Sequence, residues 1–438
     1  MIRFFITTFV AFLMTAHTAF AAVEIQEVTS KSGIKAWLVE EHSIPFVALE
    51  IRFKGGASLD AEGKRGAINL MTALLEEGSG DMDAQAFAQA RDALAADFSF
   101  DVSDDSLQIS ARFLTDTQDE AIALLRQAIL KPLFEQSAID RVKSQVQSII
   151  ASDLKDPNSI ASETFARLAY GQHPYASNIN GTQQSVAALT QADLFEAKDR
   201  TMALDRLYVG ASGDITPDAL AFLLDDLLLG LPESGAPMPA QVTQTLQGGV
   251  TVVPFETPQS VALFGHSGLR QDDPDFFAAF ILNTILGGSG FEARLMKEVR
   301  EERGLTYGIG SYLVPKDYAA MYLGQVSSAN DRIAEAVEVT KQVWADTAQN
   351  GVSEDELSRA QTYLTGAYPL RFDGNGPIAN IMVGMQMQGL PIDYIPTRND
   401  KVEAVTLEDV NRVAAELLRA DDLHFVVVGQ PMGLQSTN

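Results

Sequence analysis

Few residues in this chain of 438 are equipped for covalent or metal chemistry. There is no cysteine, so a thiol nucleophile is excluded, and no G-x-S-x-G that would mark a nucleophilic serine. His42, His266 and His424 each stand alone, with no second His or acid at ligand spacing. His173 precedes Pro174 at a helix-to-loop junction, where a histidine more often serves the backbone than a metal. Gly287, Gly288, Ser289 and Gly290 form a glycine-rich run, but the Lys-Ser/Thr of a phosphate loop does not follow it, and a helix C-cap and turn would use the same residues. The most suggestive pair is Arg300 and Tyr307 in V-R-E-E-R-G-L-T-Y. A guanidinium fork and a phenol hydroxyl can both donate to a peptide carbonyl and to the charge that develops on it. A surface arginine and a core tyrosine are the plainer alternative.

Two helices bear on what these residues could serve. Residues 66–79 read G-A-I-N-L-M-T-A-L-L-E-E-G-S, with Ala67, Leu70, Met71, Leu74 and Leu75 at helical spacing and Gly78 as the stop. This predicts an amphipathic helix entering the core. A second helix, Asp140 to Ser152, carries no acid after Asp140.

The first of these stretches resembles the pitrilysin/insulinase family of zinc peptidases, whose G-x-A-H-x-x-E-H-x-L-x-x-G-T sets two His ligands and a general-base Glu on one helical face. Matching Gly66 and Gly78-Ser79 to that frame puts Asn69 and Ala73 at the ligand positions and Thr72 at the base. The family's third ligand, a Glu, falls on the later helix and is also missing. A catalytic zinc needs about three protein ligands and an open position for water, so the resemblance implies a peptidase scaffold with no metal and no cofactor of its own. Gly171-Gln-His-Pro-Tyr175, Gly181-Thr182, Ser185, Leu189-Thr190 and Asp193-Leu194 are similar to the family's HPY...GT...S...LT..DL stretch. Residues 299–307 are similar to its L-R-E-x-x-G-L-x-Y, which implies that Arg300 and Tyr307 contact substrate. Residues 287–290 resemble, shortened, the glycine-rich loop of the non-catalytic subunit of mitochondrial processing peptidase, which implies a substrate loop.

The chain is organised as two similar halves. Val186, Thr190, Asp193, Asp205, Leu207 and Gly213 recur as Val402, Thr406, Asp409, Asp421, Leu423 and Gly429, all at one offset of 216, and Val47-Ala48-Leu49 reappears as Val261-Ala262-Leu263. Thr190 with Asp193, and Thr406 with Asp409, predict capped helix starts. Each half reads as strands, helices, strands, more helices and a closing strand. The expected fold class is α+β: two homologous α/β sandwich domains, each a mixed, largely antiparallel sheet with helices on one face, forming a clamshell. The expected division is a signal peptide over 1–21, an N-terminal domain over 22–230, a proline-rich linker over 231–248 and a C-terminal domain over 249–438.

The first 22 residues open with Arg3, run apolar from Phe4 to Met14 and close with Ala19-Phe20-Ala21, the pattern of a secretory leader cleaved after Ala21. Its apolar run is too short to span a bilayer, and Asp225 and Asp226 interrupt the next most apolar region. Without Arg3 the formal net charge moves from -26 to -27, a poor match for nucleic acid or anionic lipid. The expectation is therefore a periplasmic protein without membrane insertion or a nucleic-acid partner. In two-chain members of the family one subunit carries H-x-x-E-H with its zinc and the other the Arg/Tyr pair. The resemblance thus implies the non-catalytic subunit of a heterodimeric zinc peptidase, with an H-x-x-E-H-bearing paralogue and a peptide as partners. A peptide-binding or scaffold protein with no peptidase partner is the alternative.

Overall fold

The computed structural model describes residues 24–288 and 290–437. The expected leader and Ser289 lie outside the described residues. Among the described residues thirteen strands form two large sheets and one small hairpin. The first half contributes β1 (Gln26–Thr29), β2 (Lys35–Glu40), β3 (Phe46–Lys54), the hairpin of β4 (Gly78–Ser79) with β5 (Met82–Asp83), β6 (Asp97–Val102), β7 (Ser106–Leu114) and β8 (Leu207–Gly213). The second contributes β9 (Gly249–Pro254), β10 (Gln259–Ser267), β11 (Ile309–Pro315), β12 (Ala320–Ala329) and β13 (His424–Gly429).

The sheets run β1-β2-β8-β3-β7-β6 and β11-β12-β10-β13-β9. Leaving out β1, the second order is the first read backwards with each strand replaced by its repeat. Among the described residues the only parallel pair in each sheet joins the first strand of the repeat to the closing strand, β2 with β8 and β9 with β13. The duplication seen in the residues is therefore a duplication of topology. Gly213 and Gly429 end the two closing strands at φ of 140° and 153°. A Cβ on Gly213 would lie 2.2 Å from the Phe46 carbonyl oxygen, so glycine is required by both conformation and space.

Eight helices, four in each half, build the core and the surroundings of the candidate sites. They are α1 (Ala67–Ala73), α2 (Gln136–Asp153), α3 (Pro157–Tyr170), α4 (Gln191–Thr201), α5 (Phe276–Asn283), α6 (Glu354–Ala367), α7 (Asn375–Met387) and α8 (Leu407–Leu417). The starts of α4 and α8 are capped as expected: the Asp193 carboxylate accepts from the Thr190 amide and hydroxyl, and Asp409 does the same for Thr406. In β3, Val47, Leu49, Ile51 and Phe53 alternate onto one face and are buried with Leu70, Met71, Val142, Val146 and Leu194. Period two in the strand meets period 3.6 in the helices, and each fully buried large aliphatic or aromatic side chain contributes about 1.5–3 kcal/mol.

The helices do not keep to one face, as the sequence suggested, because the halves exchange one helix each. From the first half, α3 lies on the free face of the second sheet, where Ala161, Phe165 and Ala169 pack with Leu263, Val426 and Val428. Its repeat α7 lies on the free face of the first sheet, with Met382 and Met385 against Trp37 and Val39. Gly210 lets α7 approach closely, since a Cβ there would sit 2.7 Å from the Ala379 carbonyl oxygen. Each sheet is thus covered on both sides. Residues 232–248 form no regular element, yet they are tied down: the Val242 and Thr245 amides donate to Tyr318 and Ala169 carbonyls, each at 2.9 Å. No helix among the described residues is long and apolar enough to cross a membrane.

Candidate functional site

Helix α1 is set by its entry. Gly66 takes a left-handed φ of 96°, and the buried Asp60 carboxylate accepts from the Gly66 and Ile68 amides, both at 2.9 Å. A Cβ on Gly66 would lie 2.6 Å from the Asn180 carbonyl oxygen, and one on Gly181 would lie 2.2 Å from that of Arg65. Gly66 and Gly181-Thr182 are therefore two sides of one close backbone contact. Ser185 strengthens it by donating to the Arg65 carbonyl at 2.8 Å. The stretch from Gly181 to Ser185, recognisable in sequence with no stated purpose, holds the start of α1.

The helix is shorter than its hydrophobic pattern predicted. It ends at Ala73, Leu74 to Glu76 turn, and Gly78, at φ 118°, enters the β4/β5 hairpin instead of stopping the helix. Leu74 and Leu75 remain fully buried, so the apolar spacing was met by a turn rather than by another turn of helix.

The three positions that the resemblance matches to the zinc motif, Asn69, Thr72 and Ala73, lie on this short helix, and none fits a zinc centre. Asn69 is half-buried and its amide donates to Asn180 Oδ1 at 2.9 Å. Thr72 is buried and its hydroxyl donates back into the helix, to the Ile68 carbonyl at 2.8 Å. Ala73 presents an exposed methyl. On α2 the buried positions are Ala138, Ile139, Val142, Val146 and Ile150, all apolar, and Asp140 points to solvent. The donor set is two neutral side chains already engaged with protein partners, whereas zinc takes imidazole, thiolate or carboxylate. Among the described residues no group of three His, Cys, Asp or Glu could hold a metal ion.

Arg300 and Tyr307 belong to the second half. Arg300 is half-buried in the π-helical turn Met296–Glu301, which Met296 and Val299 anchor in the core. The chain then reverses at Gly304, φ 60°, whose amide donates to the Arg300 carbonyl at 2.9 Å. The Thr306 hydroxyl donates to the Ser327 carbonyl at 2.6 Å and accepts from the Gly308 amide at 3.0 Å. That leaves Tyr307 on a pinned turn with 86% of its surface exposed. A core tyrosine, the plainer alternative, is not what the structure shows. Gly287 and Gly288 close a π-helical turn, and Gly287 lies against β11, where a Cβ would come within 2.6 Å of the Ser311 amide. Gly290, φ 67°, has open space around it. Gly287 and Gly288 thus pack closely, and Gly290 takes a left-handed φ with space around it.

Within the chain these two sets do not form one site. Helix α1 packs on α2, α4 and β6, whereas the Met296–Glu301 turn packs on β11 and the helix Ile333–Asn350.

The four described histidines each have internal partners. His173 caps the turn that follows it: its Nδ1 accepts from the Tyr175 amide, so its Nε2 carries the proton toward the Ala240 carbonyl at 3.2 Å. Fully buried His266 accepts from Trp344 Nε1 at 3.0 Å, and burial pushes its pKa down to about 4. His424 bridges Thr251 and the Gln247 carbonyl. Exposed His42 lies between Asp214, at 2.7 Å, and Glu40, at 3.3 Å.

The HPY stretch joins the halves. Tyr175 is buried, donates to Asp105, and accepts from the Tyr318 amide at 3.2 Å. Lys316 reaches back over the Tyr175 ring, 4.2 Å from its centroid, and pairs with Asp104. Sequence reasoning saw a motif here without a role. Its role is long-range, and no local spacing records that.

Comparison with known proteins agrees with this geometry. Residues 35–183 match the insulinase (peptidase family M16) domain and residues 188–364 match the peptidase M16 inactive domain. The chain is 26% identical over 430 residues to a protein of Helicobacter pylori named non-peptidase homolog YmxG, covering 97% of this chain and 98% of that one. It is 25% identical over 361 residues to an uncharacterized zinc protease of Mycobacterium leprae, covering 81% and 80% of the two chains. The crystal structure of a peptidase M16 inactive domain from Pseudomonas fluorescens superposes with a TM-score of 0.88 at 27% identity, over 94% of this chain and 99% of that one. A protease from Helicobacter pylori shares the fold, with a TM-score of 0.83 at 15% identity over 92% of this chain. The two domain matches follow one another along one shared fold, and the chain belongs to the insulinase (M16) peptidase family as a non-catalytic member.

Proposed function

We propose that this chain is the non-catalytic subunit of a periplasmic, heterodimeric zinc metallopeptidase, binding peptide in a chamber shared with an H-x-x-E-H-bearing paralogue. The carrying observation is the contrast between the two sets of residues. The degenerate positions on α1 are committed to internal contacts, whereas Tyr307 is pinned on a turn and left almost wholly exposed. Holding a large aromatic side chain rigidly in water favours a partner or substrate for it. Strands β6 and β11 end the two sheets, so each leaves one edge of backbone groups to which an extended peptide could add. Zinc is expected in the partner and not here.

The test is reconstitution with a secreted H-x-x-E-H paralogue. Activity should appear on mixing and fall about 10²-fold with Tyr307→Phe, the loss associated with one donor to a developing oxyanion. Arg300→Ala should also reduce turnover. Tyr307→Phe should leave the melting temperature unchanged, since the ring is exposed. Full activity of the pair with both substitutions would move the chain to the alternative class, a binding or scaffold protein with no peptidase role.

A further inference from the structure

A cavity of about 370 Å³ at the junction of the halves is lined by arginines and aromatic rings, and no Asp or Glu lines it among the described residues. In a chain of net charge -26 that composition runs against the average. Arg52 comes from β3, Arg371 from the turn Tyr368–Phe372, and Arg398 from the helix Tyr394–Glu403. Phe276 and Phe280 of α5 and Tyr368 supply apolar wall.

Arg52 and Arg398 donate to neutral groups. Arg52 donates to Gln108 at 3.2 Å and to Asn380 of α7. Glu50, two residues back on β3, accepts from Ser110 and Gln108 and acts on Arg52 through its charge. Arg398 is only 6% exposed, donates to the Leu364 carbonyl at 2.9 Å and to Asn399 at 3.1 Å, and lies 4.5 Å from the Tyr368 ring centroid. Arg371 is exposed. Desolvation first, and then the like charge of Arg371, hold the Arg398 guanidinium below its ordinary pKa. A desolvated cation without a counter-charge is costly, and an anion entering the cavity would relieve that cost. Guanidinium forks suit planar oxyanions, and the volume lies within the range of small-molecule sites.

We infer that this cavity binds an organic carboxylate with an apolar or aromatic body, the chemistry shared by a free acid of that kind and by the C-terminal residue of a peptide. The carboxylate sits among Arg52, Arg371 and Arg398, and the body lies against the phenylalanines and Tyr368. Because Arg52 comes from one half and the other two arginines from the second, the ligand also bridges the halves. The site is independent of Arg300, Tyr307 and any partner subunit.

The experiment is calorimetric titration of the full chain with N-acetyl-L-phenylalanine, with Ala-Ala-Phe, with the C-terminal amide of each, and with inorganic phosphate. The acids should bind at least tenfold more tightly than their amides. Binding of both acids points to a free acid as source, and binding of the peptide acid alone points to a peptide terminus. Arg371→Gln, at an exposed position where folding is not at stake, should weaken the acids severalfold. Arg398→Lys, which keeps charge and loses the fork, should weaken them further if it folds. Equal binding of acids and amides, no binding of either acid, no effect of Arg371→Gln, or phosphate binding as tightly as the acids would each overturn the inference.

Discussion

Replacing Tyr175 with Phe tests whether the halves are held by the contact that the HPY stretch provides. The substitution removes one oxygen that makes two bonds, donating to the Asp105 carboxylate and accepting from the Tyr318 amide. A hydrogen bond to a charged group is worth about 1.5–3 kcal/mol, and a buried donor left unmade costs about 1–3 kcal/mol. Asp105 keeps the Asp317 amide as a donor at 3.3 Å, so part of the first loss is recovered and the net destabilisation should be about 3 kcal/mol. The ring, its packing and the Lys316 contact remain, which isolates the hydroxyl. Urea unfolding monitored in both halves should show a lower midpoint. In a cycle with Asp105→Asn, Tyr175→Phe should couple by more than about 1 kcal/mol, since contacting residues are not additive. A change below about 0.5 kcal/mol would refute the lock between the halves and return the stretch to the status of a local turn.

At the ends of the closing strands, Gly213→Ala and Gly429→Ala should each lower stability by at least about 2 kcal/mol in denaturant unfolding, because both combine positive φ with a Cβ clash. Hydrogen bonds donated to Asp214, then to Glu40, raise the His42 pKa above 6.5. Its contribution is thus complete below 6.5 and lost as pH rises through the folded value, and NMR titration should show Asp214→Asn returning it toward 6.5. Burial raises the Glu356 pKa, but the Arg294 fork and the Ser353 cap outweigh that and hold it down to about 2. The stability gained there is present above about 4.5 and is lost as pH falls toward 2, so Arg294→Met should destabilise the chain at pH 7 far more than at pH 2.

What the sequence made legible is what repeats or what is local. The offset of 216 marked residues that occupy equivalent places: the α4 and α8 caps and the Gly213 and Gly429 strand ends. Asn69, Thr72 and Ala73 can be read by type alone, because ligand chemistry depends on residue type. The exchange of α3 and α7 was not legible, since an apolar helix face does not say which sheet it will meet. Tyr307 could not be placed by type either, because a tyrosine suits core and surface alike and its exposure follows from Gly304 and Thr306 pinning the turn. The end of α1 was misjudged for a related reason. Leu74 and Leu75 satisfy helical spacing, yet a tight turn buries them just as completely. Arg52, Arg371 and Arg398 are far apart in the chain, and only the exchanged helix arrangement gathers them around one cavity.

The fold of α1 does not rest on metal-ligand positions. Helix α1 earns its place through Leu70 and Met71 beneath it and through the Gly66, Asp60 and Gly181 contacts at its entry, none of which involves positions 69, 72 or 73 as metal ligands. Neutral Asn and Thr with internal partners also avoid an unpaired ionised carboxylate at the buried position 72, where such a charge costs several kcal/mol unless it is paired. Returning His and Glu to α1 alone would restore that cost without a complete metal site to offset it, because the buried face of α2 offers only Val142, Val146, Ile150 and their apolar neighbours. The scaffold is thus more comfortable without zinc than with half a zinc site, and the surfaces free to act are those the core does not use: the pinned Tyr307 turn, the two sheet edges and the arginine-lined cavity.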